Sequence, residues 1–403
     1  MELTLLKDIV IIFALSTVVN FFFTKINFPT IIGYMLTGIV AGPHLLGLIE
    51  SAHEIELMAE IGVVLLLFSI GMEFSMKQLY RIRKVVFFGG MFQVFVTAAV
   101  FYGVSYFYEL SWKGGLFIGF LAALSSSAIV LKLLQERSEI SSNYGRTVLG
   151  ILIFQDLMLV PLILFANLLG EGTSDLSGEV LILVLKMVLI LAFVYVGNKW
   201  LLPKLLHLIA MVRNQELFMM SILVICLGIA LITSELGLSL AFGAFLAGLM
   251  ISESEYSHNA FGNLVPFKDT FTSFFFVSIG MLLNLNFVFE NYKLVLFSIF
   301  MVIGLKTIIA GGTGFLLGHT FRGTVMIGLA LSQVGEFSFI LAKLGLSYEI
   351  ISDFHYQLFL AVAVITMSVT PMLIHVAGPL SNRLLKLPLP RFWREGLFPL
   401  QEI

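Results

Sequence analysis

The sequence predicts an all-α membrane protein that crosses the bilayer about thirteen times and is built from two inverted repeats. Three observations predict this fold: an apolar composition, apolar runs separated by loops of alternating charge, and short strings that recur at a fixed spacing. Of the 403 residues, 59% are hydrophobic and 12% are charged, whereas soluble domains are about one-quarter charged. The composition therefore indicates an integral membrane protein.

Long apolar runs give the number of crossings, since a spanning helix needs roughly 20 mostly apolar residues. The predicted crossings lie at 3–24, 29–46, 56–76, 85–108, 113–134, 147–169, 179–200, 216–234, 236–252, 265–285, 292–318, 323–346 and 355–378.

The loops between these runs predict an orientation. Short cytoplasmic loops collect Lys and Arg, and here the basic residues fall in every second loop, as at 77–84, and in the tail at 383–394. The other loops carry acids such as Glu50 and Glu171. With thirteen crossings, this pattern places the N-terminus outside and the C-terminus in the cytoplasm.

Four strings recur about 207–210 residues apart, always in crossing n and crossing n+7. The matches are Gly33–Gly38 with Gly243–Gly248, Ser69–Met72 with Ser278–Met281, Leu124-Ser125 with Leu331-Ser332, and Pro161 with Pro371. A shift of seven crossings means that the second unit is upside down, so crossings 1–6 and 8–13 form an inverted pair joined by crossing 7. Inverted repeats are typical of transporters, which hold their substrate near the membrane midplane.

Asp156 lies inside the sixth crossing, and an ionised carboxylate at that depth costs several kcal/mol, so it indicates an ion or proton pathway. The alternative is a neutral acid or a structural hydrogen-bond partner. Aligned through the repeat, Asp156 falls opposite Thr366, so only one repeat carries the acid and we expect one principal site.

Polar residues and glycine interrupt crossings 5 and 12 at matching positions, which predicts two discontinuous helices whose free backbone groups can coordinate ions. The alternative is that the serines bond back to carbonyls one turn earlier and only bend the helix. The residues are Ser125, Ser126 and Ser127 in crossing 5, and Ser332, Gln333 and Gly335 in crossing 12.

Two further charges lie within predicted crossings. Lys306 is near the middle of crossing 11, where a lysine cannot easily reach the interface, so we expect it to pair with an acid or with helix carbonyls. Glu336 either braces the adjacent break or pairs with Lys306. The sequence leaves open whether Asp156 is the partner of Lys306.

Several strings together resemble the monovalent cation:proton antiporter-2 family, and within it the Kef-type potassium efflux systems. They are Leu124–Ile129, Phe154–Asp156, Ala241–Gly248, Phe276–Met281 and Leu331–Phe337. The resemblance covers about residues 5 to 380. It implies the NhaA/NapA-like antiporter fold, with a core that contains two crossing broken helices, a dimerisation domain, a homodimer and elevator-like movement.

The resemblance also implies a function: potassium/proton antiport in the bacterial inner membrane, with Asp156 as the carrier carboxylate and Lys306 as the core lysine. The Gln155-Asp156 pair resembles the potassium-associated version of the motif, whereas sodium-selective relatives often carry Asn-Asp or Asp-Asp. Residues 1–380 would form the transmembrane domain. Residues 381–403 would be a cytosolic tail, or the start of a linker to a nucleotide-binding regulatory domain that this chain lacks.

As a mechanism, we expect a monovalent cation and a proton to compete for Asp156, with Ser126, Ser127 and backbone carbonyls as further ligands and Gln155 as a neutral one. The alternatives are a sodium/proton antiporter of the same fold, a gated potassium channel, a sodium-coupled solute carrier and a scaffold. The sequence shows no nucleotide-binding or hydrolase signature and no basic run. It therefore predicts no enzyme, no nucleic-acid partner and no cofactor beyond the transported ions.

Overall fold

A computed structural model describes residues 2–26, 28–73, 85–108, 110–170, 197, 202–235, 240–252, 254–385 and 396. Regular structure in these residues is helical throughout. Eight helical segments of the described chain are long and apolar enough to span a membrane, and four shorter apolar helices accompany them. The predicted crossing at 179–200 falls outside the described residues except for Gly197.

The α-helices of the described residues are, in chain order, α1 (Glu2–Lys25), α2 (Thr30–Ala41), α3 (Ala52–Glu73), α4 (Gly90–Ser105), α5 (Trp112–Ala123), α6 (Ser127–Glu136), α7 (Asn143–Gly170), α8 (Leu202–Met211), α9 (Gln215–Glu235), α10 (Leu240–Ser252), α11 (Ser257–Leu282), α12 (Leu285–Glu290), α13 (Tyr292–Leu316), α14 (Phe321–Ala330), α15 (Phe337–Ser347) and α16 (Asp353–Leu384). A π-helical turn at Val85–Gly89 leads directly into α4.

The chain forms two compact units. The first comprises residues 1–21, 33–79 and 171–282, and the second comprises residues 22–32, 80–170 and 283–403. In the first unit α3 packs against α10 and α11, and its apolar core includes Phe68, Ile222 and Met250. In the second unit the largest described core joins α6, α7, α13, α14 and α16.

The first unit contains a very close approach between α2 and α11. A Cβ atom added to Gly38 would lie 2.0 Å from the carbonyl oxygen of Val277, and one added to Gly280 would lie 2.1 Å from that of Met35. Only glycine lets two helix backbones come this close, as small residues do at helix interfaces in membranes.

A second approach of the same kind joins α3 and α10. A Cβ atom added to Gly248 would lie 2.0 Å from the carbonyl oxygen of Phe68, and one added to Gly71 would lie 2.3 Å from that of Phe245. The spacing of the sequence repeat relates the two contacts, because it carries Gly38 onto Gly248 and Gly71 onto Gly280. Such reciprocal packing is what two repeats arranged about a pseudo-two-fold axis produce.

The structure differs from the predicted crossings in several places. The runs at 113–134 and 323–346 each contain two helices, α5 with α6 and α14 with α15. Helix α11 begins at Ser257, upstream of the predicted 265, because its first turns are polar and lack the hydropathy of a span. Helices α8 and α12 were missed, since 10 and 6 residues are too short to register as crossings.

We expect Gly248→Ala to lower the thermal unfolding midpoint of the purified protein in detergent. The new methyl group has to displace a backbone carbonyl of α3, and overpacking of this kind typically costs about 1–3 kcal/mol. Gly228→Ala on α9 is the matched control, since no neighbouring heavy atom lies within 4 Å of a Cβ there. Equal midpoints for the two variants would contradict the close approach of α3 and α10.

Candidate functional site

Two non-helical segments lie within the second unit at the positions where the sequence carries its polar strings. The first interruption, residues 124–126, separates α5 from α6, and the second interruption, residues 331–336, separates α14 from α15. Ser126 is the N-cap of α6, and its Oγ accepts a hydrogen bond from the Ile129 N–H at 3.2 Å. The serine thus ends the interruption by starting a new helix, as N-cap residues do.

The two interruptions contact each other directly. The N–H of Gly335 donates to the carbonyl oxygen of Leu124 at 3.1 Å, and the Ser125 hydroxyl donates to the carbonyl oxygen of Leu331 at 3.0 Å. A Cβ atom on Gly335 would lie 2.5 Å from the carbonyl carbon of Ser125. Glycine is therefore required where the second interruption crosses the first.

Lys306 on α13 joins the two interruptions and is fully buried. Its ammonium donates to the carbonyl oxygens of Leu124 at 2.9 Å and Gln333 at 2.6 Å, and to the Ser125 hydroxyl at 3.0 Å. These three bonds use all the donors of a lysine. Of the partners left open by the sequence, the structure shows backbone carbonyls. That of Leu124 lies at the C-terminal end of α5, where a cation is favoured, and that of Gln333 lies within the second interruption.

Glu336 lies at the opposite kind of helix end and is also buried. Its Oε1 accepts hydrogen bonds from the Ala128 N–H at 3.2 Å and the Ser127 hydroxyl at 3.4 Å, both in the first turn of α6. An anion is favoured at a helix N-terminus. The structure therefore shows Glu336 bracing the break, which was one of its two predicted roles.

Gln155 on α7 holds the first interruption from the other side. Its Oε1 accepts the Ser125 N–H at 2.7 Å, and its Nε2 donates to Oε1 of Gln93 on α4 at 2.6 Å. Gln93 in turn donates to the Ala123 carbonyl at 3.1 Å and to the Thr97 hydroxyl at 3.2 Å. Sequence reasoning missed Gln93, although an amide followed one turn later by Thr97 in an otherwise apolar helix was a usable signal.

The two interruptions share one hydrogen-bonding pattern, 209 residues apart. In the peptide group between Leu124 and Ser125, Lys306 binds the C=O and Gln155 binds the N–H. The same holds for the peptide group that follows Gln333: Lys306 binds its C=O, and the Thr366 hydroxyl accepts its N–H at 3.4 Å. Thr366, the repeat counterpart of Asp156, therefore serves as a structural hydrogen-bond partner.

Asp156 directly follows Gln155 on α7, a helix that packs against α6, α14 and α15. Of the ten residues predicted for the site, only Asp156 and Ser127 are partly exposed; Gln155, Ser125, Ser126, Lys306, Glu336, Ser332, Gln333 and Gly335 are buried. Partial exposure within this set is thus limited to Asp156 and Ser127, and the Oδ1 atom of Asp156 is itself buried.

Two buried polar groups of the second interruption have no hydrogen-bond partner among the described residues: both amide atoms of the Gln333 side chain, and Oε2 of Glu336. Most buried polar groups in proteins are satisfied. The Gln333 amide and the free oxygen of Glu336 could therefore form further hydrogen bonds beside those that join the two interruptions.

Comparison with known proteins identifies the family. Residues 10–377 match the family model described as "Sodium/hydrogen exchanger, transmembrane". The chain belongs to this family. It is 32% identical over 378 residues to "K(+) efflux antiporter 5" of Arabidopsis thaliana, covering 92% of this chain and 66% of that protein. It is 31% identical over 378 residues to "Putative cation/proton antiporter YbaL" of Escherichia coli (strain K12), covering 92% and 67%.

These relatives confirm the predicted resemblance to Kef-type antiporters, and the chain spans about two thirds of their length. The sodium proton antiporter MjNhaP1 from Methanocaldococcus jannaschii has a similar structure, with a TM-score of 0.67 at 18% identity. The match covers 96% of this chain and 100% of that one, so the two share a fold. This member of the exchanger family is accordingly an integral membrane protein.

We expect Lys306→Met to destabilise this exchanger-family protein strongly. The change removes three buried hydrogen bonds and leaves their acceptors unsatisfied, and bonds of this kind in membrane helices contribute about 0.6–1.7 kcal/mol each, or roughly 2–5 kcal/mol together. Thermal unfolding in detergent measures the loss. Lys293→Met, an exposed position on the same helix, is the control, and an equally small effect in both variants would count against the bridging role of Lys306.

Proposed function

We propose that this protein exchanges potassium for protons across a membrane, with cation and proton competing for Asp156. The observation that carries the proposal is the exposure pattern: among the charged residues of the polar cluster, Lys306 and Glu336 are buried, whereas Asp156 is partly exposed. The printed names of the relatives, potassium efflux antiporters and a cation/proton antiporter, support the same activity.

The buried charges of the cluster favour Asp156 as the group that changes charge. Lys306 and Glu336 are both bound to helix ends, so altering either would break the contacts that hold the interruptions. None of these bonds of Lys306 and Glu336 is made to Asp156. Its protonation can therefore alternate with cation binding while the surrounding backbone keeps its shape.

Ionised Asp156 would bind one dehydrated cation, with the Ser127 hydroxyl and nearby backbone oxygens as further ligands, and protonation would expel it. Ser126 and Gln155 already accept backbone N–H groups, so we assign them to holding the interruption. Since a bare carboxylate is costly within a bilayer, only the neutralised site would cross readily. This restriction makes the process exchange rather than leak.

The proposal includes the finer architecture: thirteen crossings as inverted repeats, two of them discontinuous at the interruptions, and elevator-type alternating access. It also includes a homodimer in a bacterial inner membrane with the N-terminus outside, and a cytosolic nucleotide-binding regulatory partner for the tail. The reciprocal glycine contacts and the 209-residue hydrogen-bonding pattern support the repeats. We propose no other cofactor and no nucleic-acid partner.

Sodium/proton exchange is the second candidate, because the family model and the similar solved structure are both named for sodium. Gln155 favours potassium, since a neutral amide beside one acid suits a larger, weakly hydrated cation better than a second carboxylate would. Selectivity is therefore measured together with activity.

Antiport is tested in proteoliposomes that contain a pH-sensitive dye. We expect potassium added on one side to drive proton movement, with sodium giving a weaker response at equal concentration. An imposed proton gradient should drive potassium uphill, which a channel cannot do. Potassium flux that only follows its own gradient would identify a channel, and a stronger response to sodium would favour the second candidate.

Asp156→Asn should abolish cation-dependent proton movement in the same liposomes, because the amide can neither neutralise a cation nor release a proton. The matched control is Asp269→Asn, which removes an exposed carboxylate that pairs with its neighbour Lys268. We expect the control to retain wild-type exchange. Undiminished exchange in correctly folded Asp156→Asn would refute the mechanism.

A further inference from the structure

We propose that Gln93 is a positioning residue for the Asp156 site, and that it acts by fixing the orientation of the Gln155 amide. This inference rests on the proposed exchange function. Gln93 lies on α4 and is fully buried. It is hydrogen-bonded to Gln155, which directly precedes Asp156 in the chain. It therefore acts on the cation only through the residues that it holds.

The orientation of the Gln93 amide is determined by its surroundings. The Thr97 hydroxyl donates its hydrogen to the backbone carbonyl of Gln93 at 2.6 Å, so toward the Gln93 side chain it can only accept. The carbonyl oxygen of Ala123 is also only an acceptor. A flipped amide would turn its oxygen toward two acceptors, so Nε2 has to face Thr97 and Ala123.

The fixed orientation of the Gln93 amide in turn fixes that of the Gln155 amide. With its Nε2 committed, Gln93 presents Oε1 to Gln155, which donates its own Nε2 at 2.6 Å. The Gln155 oxygen then faces the Ser125 N–H at 2.7 Å. Reversing Gln155 alone would oppose two oxygens at one end and two N–H groups at the other, so neither amide can turn independently.

The two side-chain amides form hydrogen bonds with the backbone at both ends of the Leu124 residue. Gln93 binds the carbonyl of Ala123, the last residue of α5, and Gln155 binds the N–H of Ser125 two residues later. Between them lies the Leu124 carbonyl, which accepts from Lys306. Loss of Gln93 would free Gln155, the residue that precedes Asp156 on α7, and would weaken its hold on this peptide group.

The bonds of Gln155 also bear on how the Gln155-Asp156 pair would determine ion selectivity. In the structure both polar ends of the Gln155 side chain are engaged with Gln93 and Ser125. Its influence on selectivity would therefore pass through the shape of the interruption rather than through direct coordination. Gln93 would then contribute to ion selectivity together with Gln155.

The test measures potassium binding by thermal stabilisation of the purified full chain in detergent, since a ligand of the native state raises its unfolding midpoint. Potassium chloride is titrated against choline chloride at constant ionic strength. Gln93→Met keeps the side-chain length and removes the hydrogen bonds. We expect it to need about tenfold more potassium for half of the maximal shift, which corresponds to about 1.4 kcal/mol.

Thr37→Val is the matched control, because Thr37 is also buried in a helix and hydrogen-bonded, here to the Gly33 carbonyl four residues earlier in the first unit. We expect it to lower overall stability slightly and to leave the potassium dependence unchanged. A shift in half-saturation equal to that of Gln93→Met would mean that any lost buried hydrogen bond has this effect, and would overturn the inference.

A double-mutant cycle with Gln155→Met tests whether the two amides act as one unit. If Gln93 acts through Gln155, the double variant is no worse than the worse single variant; fully additive losses overturn the inference. Should Gln93→Met fail to fold, Gln93→Asn keeps the amide but is one methylene too short to bridge both partners. Unchanged half-saturation in that folded variant likewise overturns it.

Asp156→Asn separates this inference from the function on which it rests. Loss of potassium-dependent stabilisation in Asp156→Asn, together with a wild-type response in Gln93→Met, would overturn the role of Gln93 alone. A potassium response that survives Asp156→Asn would overturn the proposed function and the inference with it.

Discussion

The fold of the second unit depends on how one buried ammonium satisfies the carbonyls of two buried, non-helical peptide groups. Where a membrane helix is interrupted, its carbonyls lose their intrahelical partners, and an unsatisfied polar group in the bilayer costs several kcal/mol. Lys306 binds the carbonyls of Leu124 and Gln333 at once. The lysine satisfies a carbonyl in each interruption, and the C-terminus of α5 helps to offset the cost of burying its charge.

The repeat explains why one lysine is enough and why the site is nevertheless asymmetric. The two peptide groups are equivalent at a spacing of 209 residues, and each receives a side-chain acceptor for its N–H, from Gln155 on α7 or from Thr366 on α16. Applied to Lys306, the same spacing leads to Thr97, which binds Gln93. The second repeat thus contributes the buried lysine. The first repeat contributes the neutral hydrogen-bonded side chains of Gln93, Thr97 and Gln155, together with Asp156.

A feature could be predicted from the sequence when the residues that determine it are close together along the chain. Long apolar helices such as α3, α7 and α13 were predictable because their signal is local hydropathy. The polar strings of the predicted crossings 5 and 12 coincide with the non-helical residues 124–126 and 331–336, and their match across the sequence repeat strengthened a weak local signal. The partners of Lys306 and Glu336 stayed open, because Leu124 lies 182 residues from Lys306 and Ala128 lies 208 residues from Glu336 in the chain. Gln93 was missed for the same reason: its bond to Gln155 spans 62 residues.

Gln155 and Asp156, which are neighbours on α7, would have two different tasks. A side chain that holds backbone geometry has to keep its hydrogen bonds through every step, whereas a side chain that binds cation and proton in turn has to change partners. Gln155 has no charge to change and is bound at both ends. Asp156 is titratable and partly exposed. An acid in place of Gln155 would combine both tasks in one residue, and each protonation would then disturb the peptide group that Lys306 binds. In the proposed mechanism, a neutral residue at that position would let the charge of the site change while its framework stays fixed.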